Sequence, residues 1–420
     1  MRESVRQRVT NRTDRVSGAV RGLGTWLERV QTPTMTYYLL IGATTVLVGF
    51  GLIMVLSASS VVSLANTKSS YTVFRNQLIF AVLGTIAILI AVRLKPSVWK
   101  RLALPIMLAA IALQGLVFSP IGKCVAGNCN WIEVAGMQAQ PSEVVKLALA
   151  LLGAAILAAK RHVIGQFRHV VVPYLVPFAA VSIGLVLYGE DLGTVLILGT
   201  VVGAVLWAAG VPARYFGFAG VTFLAVAVAM VIYSPNRLGR FDVWLGRDTN
   251  PYGMARQPIH GRYALADGGW VGLGLGGSRE KWLWLSEPHN DFIFAIIGEE
   301  LGLAGTLLVI TLFLLIAYAC YRLVVTSDDL FVRLATAGIM GWIVVQAMIN
   351  IGSVIGMVPV IGVNLPLVSS GGSSLITTMA ALGVLISFAR HEPACAAELA
   401  SRPRRRLIPS TVRHRLRRER

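Results

Sequence analysis

The sequence predicts an all-α protein that crosses a membrane many times, and three observations carry this prediction. Hydrophobic residues make up 55% of the 420 residues and charged residues only 14%, with a mean hydropathy of +0.69, as is typical of polytopic membrane proteins. Ten apolar stretches are about 20 residues long, which is enough to cross ~30 Å of hydrocarbon. The period-two alternation of a barrel strand is absent, so helices are expected.

The ten predicted spans are joined mainly by short loops. The first begins near Met35, after a long basic segment without a small-residue cleavage site, so it is expected to remain as an anchor rather than to be removed as a signal peptide. The spans divide the chain into a basic N-terminal tail (1–34), a membrane part (35–389) and an Arg-rich C-terminal tail (390–420). They cover residues 35–59, 75–94, 102–119, 142–159, 170–188, 192–209, 214–233, 291–321, 331–357 and 373–389.

Positive charge predicts which ends of the spans face the cytoplasm. With the N-terminus inside, the four short inside loops carry ten Lys or Arg, and the four short outside loops with their margins carry three; cytoplasmic loops are enriched in these residues. An even number of spans then returns the C-terminus to the cytoplasm. The tails contribute +4 and +7 of the net charge of +18. They are expected to contact anionic lipids of the plasma membrane, and nucleic acid is not expected as a partner.

The connection 234–290, between the seventh and eighth spans, is a large predicted extracytoplasmic loop. Connections this long without structure of their own are usually functional or disordered, but Trp244, Trp270, Trp282 and Trp284 favour order against the membrane surface. The run GGWVGLGLGGS in this loop is interpreted as tight turns rather than a phosphate cradle, because no strand precedes it.

Two cysteines lie in the predicted outside loop between the third and fourth spans, in KCVAGNCNW. In an oxidising compartment Cys124 and Cys129 could form a short disulfide, and the alternative is a pair of free thiols. Because this loop holds no His or further Cys, a metal site is not expected there.

Ionisable residues within apolar spans are costly, and they are usually paired, hydrated or functional. Glu143 and Lys146 are spaced i, i+3, which places both on one face of a helix that Ser142 can cap. One interpretation is a buried ion pair that fixes helix packing. The other is a pair that lines a hydrated cavity and grips a polar substrate, and the two do not exclude each other.

Three carboxylates open the eighth predicted span, in SEPHNDFIFAIIGEELG (286–302). Asp291 is predicted in the first helical turn, where the helix dipole favours an acid, so capping alone could explain it. At ~1.5 Å per residue, Glu299 lies about 12 Å deeper, and Glu300 is turned by ~100° from it. We therefore expect Glu299 and Glu300 to serve different partners, as buried structural or cavity-lining groups. Asp191, at the outer end of another span, is expected to be a third such group.

The stretch VPVIGVNLPLVSSGGSS (358–374), between the ninth and tenth spans, contains too many Pro, Gly and Ser residues to continue a helix. Such backbone at membrane depth is tolerated only beside protein or water. It is predicted to fold back as a re-entrant loop that bounds the outer cavity, with hydroxyl and backbone N–H groups that could bind an anion.

Taken together, these segments resemble the SEDS family of ten-span peptidoglycan polymerases, the FtsW and RodA proteins. The matching segments occur in the family's order across residues 35–390. The stretch before EPHNDF, the basic tails and the NDF variant look more like an actinobacterial FtsW than a RodA. Departures from the family's usual residues occur at Asn76, Glu190, Asn290, Leu367 and Ser370. The matches are NWIEVAGMQAQPSEVVKLAL, GEDLGTVLIL, GGWVGLGLGGSREKW, EPHNDFIFAIIGEELGLAG and LPLVSSGGSSL.

The resemblance implies the SEDS fold and a reaction on the outer membrane face. Lipid II is polymerised into glycan strands in septal cell-wall synthesis during cell division: the 4-hydroxyl of one disaccharide attacks C1 of another with inversion, and undecaprenyl pyrophosphate leaves. Such a displacement requires a base on the nucleophile and positive charge or hydrogen-bond donors on the leaving group. Asp291 matches the family's essential loop Asp and is expected to be the base, or to orient the acceptor.

The resemblance also implies residues that contact substrate. Six of them match family motifs: the functional Glu and Lys pair, a loop Trp and the VSxGGSS loop. Two arginines are added as contacts to pyrophosphate or head group, because a guanidinium presents a bidentate fork. The expected substrate contacts are Glu143, Lys146, Trp131, Ser369, Gly371, Gly372, Arg75 and Arg240.

Partners implied by the family are lipid II, a single-span class B penicillin-binding protein (a transpeptidase) and other division proteins. No cofactor is identified. No metal ligand is assigned either, because no cluster of carboxylates at metal-ligand spacing is evident, but a role for a divalent cation is left open.

Three alternative functions fit parts of the sequence. Buried charge in ten helices suits a lipid II transporter, although neither an internal repeat nor paired discontinuous helices are evident. A scaffold that recruits division proteins fits the basic tails but leaves Asp291, Glu143 and Lys146 unexplained. A RodA-type polymerase of cell elongation is the third alternative.

Overall fold

The computed structural model describes residues 32–125, 128–134, 137–163, 168 and 171–401. The chain divides into two units, Thr36–Phe388 and a smaller unit made of Met1–Met35 and Ala389–Arg420. In the smaller unit the hydroxyl of Thr34 donates a hydrogen bond of 3.1 Å to Glu398. Most of the two predicted basic tails lies outside the described residues.

The described residues are mainly helical, as predicted. A π-helical stretch, Val171–Ala180, leads directly into α5, and single 3₁₀ turns cover Leu116–Phe118 and Arg161–Val163. The α-helices are α1 (Met35–Thr67), α2 (Thr72–Arg93), α3 (Pro96–Gly115), α4 (Ser142–Ala159), α5 (Val181–Tyr188), α6 (Leu192–Ala208), α7 (Ala213–Ile232), α8 (Pro235–Trp244), α9 (Arg256–Gly268), α10 (Ile293–Thr326), α11 (Leu330–Val354), α12 (Gly372–His391) and α13 (Pro393–Ser401).

Each of the ten predicted spans coincides with a helix. Eight helices in the described part of the chain are long and apolar enough to cross a membrane, and Val172–Tyr188 and Leu192–Ala208 are apolar but shorter. The protein is therefore a multi-pass membrane protein, and the number of ten spans stays a prediction.

Helix α11 lies at the centre of the larger unit, where it packs against α4, α6 and α10. Small residues allow the close approach: a Cβ atom added to Gly338 would lie 2.6 Å from Val205 of α6 and 3.1 Å from Ala150 of α4. Helix α7 differs, since none of its described side chains is buried. Of the polar residues discussed below, Glu143 and Lys146 lie on α4, and Gln346 and Asn350 lie on α11.

Two loops contain structure that the sequence did not predict. The loop between α3 and α4 folds into an antiparallel sheet of β1 (Gly122–Val125), β2 (Asn128–Val134) and β3 (Met137–Ala139), in the order β1-β2-β3. Cys124 faces Cys129 in this sheet, and the two form a disulfide, so the free-thiol alternative is wrong. The loop 234–290 contains α8 and α9, so it is ordered, as its tryptophans indicated.

Helix α10 is interrupted at Gly302, which has a φ of 64° and a ψ of −160°. A left-handed φ of this kind strongly favours glycine. The predicted span 291–321 therefore contains a kink that the sequence did not predict: a short helical segment, 293–301, precedes a longer one, 303–326. The longer segment is long enough to cross hydrocarbon by itself, and Glu299 and Glu300 lie in the short segment before it.

Candidate active site

Asp291 lies just before α10 and does not cap it. The N-cap residue is Phe292, and no side chain makes a capping hydrogen bond there. Capping, offered as a sufficient explanation of Asp291, is therefore wrong. Its carboxylate is partly buried and must be explained by its surroundings.

The surroundings of the Asp291 carboxylate include the loop between α11 and α12. A Cβ atom added to Gly362 would lie 3.5 Å from Oδ2 of Asp291 and 3.8 Å from Nη1 of Arg240. Arg240 of α8 also donates to the carbonyl of Val360, at 3.3 Å. The structure thus brings Asp291 and Arg240 together beside a glycine, which has a φ of 79°.

Burial raises the pKa of Asp291 from 3.8 to about 6. The negative charges of Glu287 and Asp191 raise this pKa further, and the positive charge of Arg240 opposes them. A carboxylate with this pKa is mostly ionised at neutral pH, yet it accepts a proton more readily than an ordinary aspartate. The site can therefore supply a base.

The serine loop that the sequence singled out is bonded to the segment before Asp291. The hydroxyl of Ser369 donates to the carbonyl of Asn290 at 2.7 Å and accepts from the backbone N–H of Leu365 at 2.8 Å. The backbone N–H of Ser370 donates to the carbonyl of His289 at 2.8 Å. Because these groups are satisfied within the protein, the structure does not support the expected anion site at them.

Gly371 and Gly372 are accounted for by packing. A Cβ atom at Gly371 would lie 2.6 Å from the side-chain nitrogen of Asn364, and one at Gly372 would lie 2.5 Å from the ring of Phe80. The backbone N–H of Gly371 donates to Gln77. Close approach within the protein thus explains both glycines without a substrate.

Glu143 and Lys146 form a buried ion pair in α4. The Nζ of Lys146 lies 2.8 Å from both carboxylate oxygens of Glu143, and it donates to Gln346 of α11 at 3.0 Å. The amide of Gln346 in turn donates to the carbonyl of Asn364, at 2.9 Å. The structure therefore favours the structural interpretation of the pair, as support for the loop beside Asp291. Lys146 is only 1% exposed, so its ammonium group is directed to these protein partners rather than to a substrate.

Asp191 caps α6 and ties it to the start of α4. Its Oδ1 accepts from the backbone N–H of Thr194 at 2.9 Å, and its Oδ2 accepts from Thr194 Oγ1 at 2.7 Å and from Gln140 at 2.9 Å. This is the structural role that the sequence analysis expected, although the residue is only partly buried.

Glu299 and Glu300 hold the glycine-rich segment 268–281, which we name the glycine strap. Glu299 accepts from Ser278 Oγ at 2.5 Å and from the backbone N–H of Arg279 at 2.6 Å. Glu300 accepts from Lys281 at 2.9 Å and from the backbone N–H of Ser278 at 3.4 Å. Both glutamates thus bind Ser278, so the expectation that they serve different partners is wrong.

The interruption of α10 at Gly302 lets the glycine strap bind its backbone. The N–H groups of Leu273 and Gly274 donate to the carbonyls of Glu299 and Glu300, each at 2.9 Å. A Cβ atom at Gly302 would lie 2.5 Å from the backbone nitrogen of Gly272. Positive φ values at Gly272, Gly274 and Gly276 confirm the predicted turns, and the structure adds close backbone contact as a second reason for the glycines.

Two predicted contact residues lie on elements other than those that carry Asp291 and Arg240. Trp131 is in β2, opposite Lys123, and is partly buried; Arg75 is exposed in the first turn of α2.

A cavity of about 540 Å³ lies between α1 and the glycine strap, beside Lys281 and Trp282. Neither Asp291 nor the pair Glu143 and Lys146 lines it.

Four residues of this region were missed by the sequence analysis: Ser57, Lys281, Gln346 and Asn350. Each is a common polar residue inside or beside an apolar stretch. Two of them are almost completely buried: Lys281 is 3% exposed and Asn350 is 1% exposed. Burial of an unpaired polar group is costly, and this cost was the one feature of the sequence that could have drawn attention to these residues. Among the described residues, no three His, Cys, Asp or Glu are grouped so that they could hold a metal ion.

The fold and the site define the class of the protein: a polytopic helical membrane protein with a partly buried acid beside an arginine, where α8, α10 and a non-helical loop meet. The family model described as "Cell cycle protein", which covers FtsW, RodA and SpoVE, matches residues 37–394. The chain therefore belongs to the FtsW, RodA and SpoVE family, the SEDS proteins, and is of the FtsW type.

Relatives and solved structures agree with this assignment. The chain is 40% identical over 377 residues to the probable peptidoglycan glycosyltransferase FtsW of Mycobacterium tuberculosis, covering 90% of this chain and 71% of that one. It is 37% identical over 356 residues to stage V sporulation protein E of Bacillus subtilis, covering 84% and 96%.

The fold resembles a structure described as "Structural coordination of polymerization and crosslinking by a peptidoglycan synthase complex", with a TM-score of 0.67, 25% identity and coverage of 84% and 97%. It also resembles Thermus thermophilus RodA, with a TM-score of 0.62, 24% identity and coverage of 84% and 96%. The predicted SEDS fold is confirmed.

Proposed function

We propose that this protein is a peptidoglycan glycosyltransferase that polymerises lipid II during septal cell-wall synthesis. The family and the names of the relatives support the activity and the role in cell division. The observation that carries the mechanism is the Asp291 carboxylate, which is partly desolvated and lies beside Gly362 together with Arg240.

Asp291 is the proposed base. It removes the proton from the 4-hydroxyl of the acceptor disaccharide as the oxygen bonds to C1 of the donor, and the bond from C1 to the pyrophosphate breaks with inversion. The proton is then on Asp291, and the electron pair of the broken bond leaves with undecaprenyl pyrophosphate. A base with a raised pKa suits this step, because proton transfer to it is more favourable than to an ordinary aspartate.

Arg240 is the proposed contact for the developing negative charge. It is exposed enough to reach a ligand, although it also donates to the carbonyl of Val360. A guanidinium can bind a phosphate with two parallel hydrogen bonds. Arg75 and Trp131 remain proposed contacts to head group or sugar, while Lys146 and Glu143 support the loop.

The positive-inside balance of the loops supports an orientation with both termini in the cytoplasm and with Asp291 on the outer face. A class B penicillin-binding protein is the proposed partner, together with other division proteins, since the structural relative of 25% identity is described as a peptidoglycan synthase complex. The disulfide is in keeping with an oxidising outer compartment.

The test uses the purified full-length chain with its transpeptidase partner and lipid II in detergent. Wild type should form glycan strands without a membrane to cross, and Asp291→Ala should form none. Equal polymer from both would remove Asp291 from the mechanism. Movement of lipid II across vesicles by wild type, with no polymer, would support the transporter instead.

A further inference from the structure

Asn350 of α11 joins the backbone of Asp291 to the loop beside its carboxylate. Its Nδ2 donates to the main-chain carbonyl of Asp291 at 2.8 Å and to that of Val363 at 2.7 Å. The side chain is 1% exposed. Two carbonyls facing one side-chain end require an NH₂ group there, so the orientation of the amide is fixed by its partners.

The two carbonyls belong to the two segments that form the site. One is that of the proposed base itself. The other is next to Gly362, the backbone position that lies beside both the Asp291 carboxylate and the Arg240 guanidinium. The side-chain amide of Asn350 therefore sets the distance between the backbone of Asp291 and the loop whose Val360 carbonyl accepts a hydrogen bond from Arg240.

The amide is held on a rigid support. Trp342, Gln346 and Asn350 are spaced four residues apart and so lie along one face of α11. Trp342 donates to Gln346 at 2.8 Å, and Gln346 donates to the carbonyl of Asn364. Lys146 donates to the same oxygen of Gln346, at 3.0 Å.

We infer that Asn350 is a positioning residue for glycosyl transfer, which holds the Asp291 backbone and the loop 360–364 at the separation that aims the carboxylate at the acceptor hydroxyl. The inference rests on the proposed function. A misplacement of ~1 Å in a reacting group can reduce a rate by about 10²-fold, and a residue that acts this way should change kcat more than KM.

The experiment compares glycan-strand synthesis by Asn350→Leu, Asn350→Ser and wild type, with rates normalised to the folded fraction. Leucine has a similar size but no donor, and serine keeps one donor. Asn350→Leu should lower kcat by about 10- to 100-fold and change KM by less than about threefold, and Asn350→Ser should fall between Leu and wild type. The acid limb of the pH profile should also move to lower pH in Asn350→Leu, because a loosened carboxylate gains water.

Thr336→Val is the matched control, since Thr336 is fully buried in the same helix and its hydroxyl has no hydrogen-bond partner among the described residues. It should match wild type. If Asp291→Ala is inactive but Asn350→Leu behaves like Thr336→Val, the positioning role is wrong and the proposed function stands. If wild type makes no polymer, or if Asp291→Ala makes as much polymer as wild type, the proposed function itself is contradicted, independently of Asn350. Equal losses in Asn350→Ser and Asn350→Leu, with an unchanged pH profile, would also overturn the inference.

Discussion

The ammonium group of Lys281 lies 2.9 Å from Oε1 of Glu300, and both side chains are almost completely buried, at 4% and 0% exposure. The hydroxyl of Ser57 donates to the same carboxylate at 2.6 Å, and Lys281 donates to the carbonyl of Gly276 at 2.7 Å. This pair connects α1, the glycine strap and the short helical segment that begins after Asp291. Glu299 and Glu300, although costly to bury in an apolar stretch, therefore hold the backbone of the glycine strap against the helical segment that follows Asp291.

Lys281→Met should destabilise the protein by about 3–5 kcal/mol, because it leaves the Glu300 carboxylate buried without its partner. The double variant Lys281→Met/Glu300→Gln should recover much of that loss. The measurement is thermal unfolding of the purified protein in detergent. Lys123→Met is the control: Lys123 pairs with Glu133 on the exposed sheet, and such a pair contributes about 0–1 kcal/mol. Equal losses for Lys281→Met and Lys123→Met would contradict this account.

Gly302→Ala should destabilise the protein and detach the glycine strap. Alanine at a φ of 64° is strained, and its Cβ would lie 2.5 Å from the backbone nitrogen of Gly272; a sparsely populated backbone region alone costs about 1–3 kcal/mol. Protease sensitivity of residues 268–281 and the melting temperature report the effect. Gly49→Ala, with no atom near its added Cβ, should instead be neutral or stabilise by up to ~1 kcal/mol. The same response at both positions would argue against the interruption of α10.

Lys146→Met should act through stability and kcat rather than through substrate affinity. Its ammonium is enclosed by Glu143, Gln346 and the ring of Trp342, whose centroid is 4.9 Å away. Removal of one partner from a buried pair costs about 3–5 kcal/mol. A lower melting temperature with a nearly unchanged KM is expected for lipid II. A large rise in KM without loss of stability would restore the interpretation of Lys146 as a substrate contact.

The rate of polymerisation should fall as the pH falls through about 6, because the base must be ionised and burial raises the pKa of Asp291 to about 6. Glu287→Gln should move this limb to lower pH, since the negative charge of Glu287 raises that pKa. Asp248→Asn, which changes a carboxylate that does not act on Asp291, serves as the control. The profile of kcat/KM reports the free enzyme. A limb that moves to higher pH in Glu287→Gln would contradict the assignment of the limb to Asp291.

Hydrophobic patterning predicted the positions of the helices, because a membrane span must be long, apolar and internally hydrogen-bonded. The spacing of Glu143 and Lys146 likewise predicted a shared face. The interruption at Gly302 escaped prediction, since a glycine within an apolar run is common and only the approach of the glycine strap requires its φ. The roles of Gln346 and Asn350 depend on backbone carbonyls 13 to 59 residues away, which no local pattern reveals.

The most direct test of the role of Asp291 is the rate of glycan-strand formation from lipid II by Asp291→Asn at pH 7.5, in the complex with the transpeptidase. Asparagine keeps the size of the side chain but cannot accept the proton. The rate should fall by about 10²-fold or more, while the melting temperature stays at or above that of wild type and Asp248→Asn retains full activity. A rate for Asp291→Asn within about threefold of wild type would show that another group removes the proton.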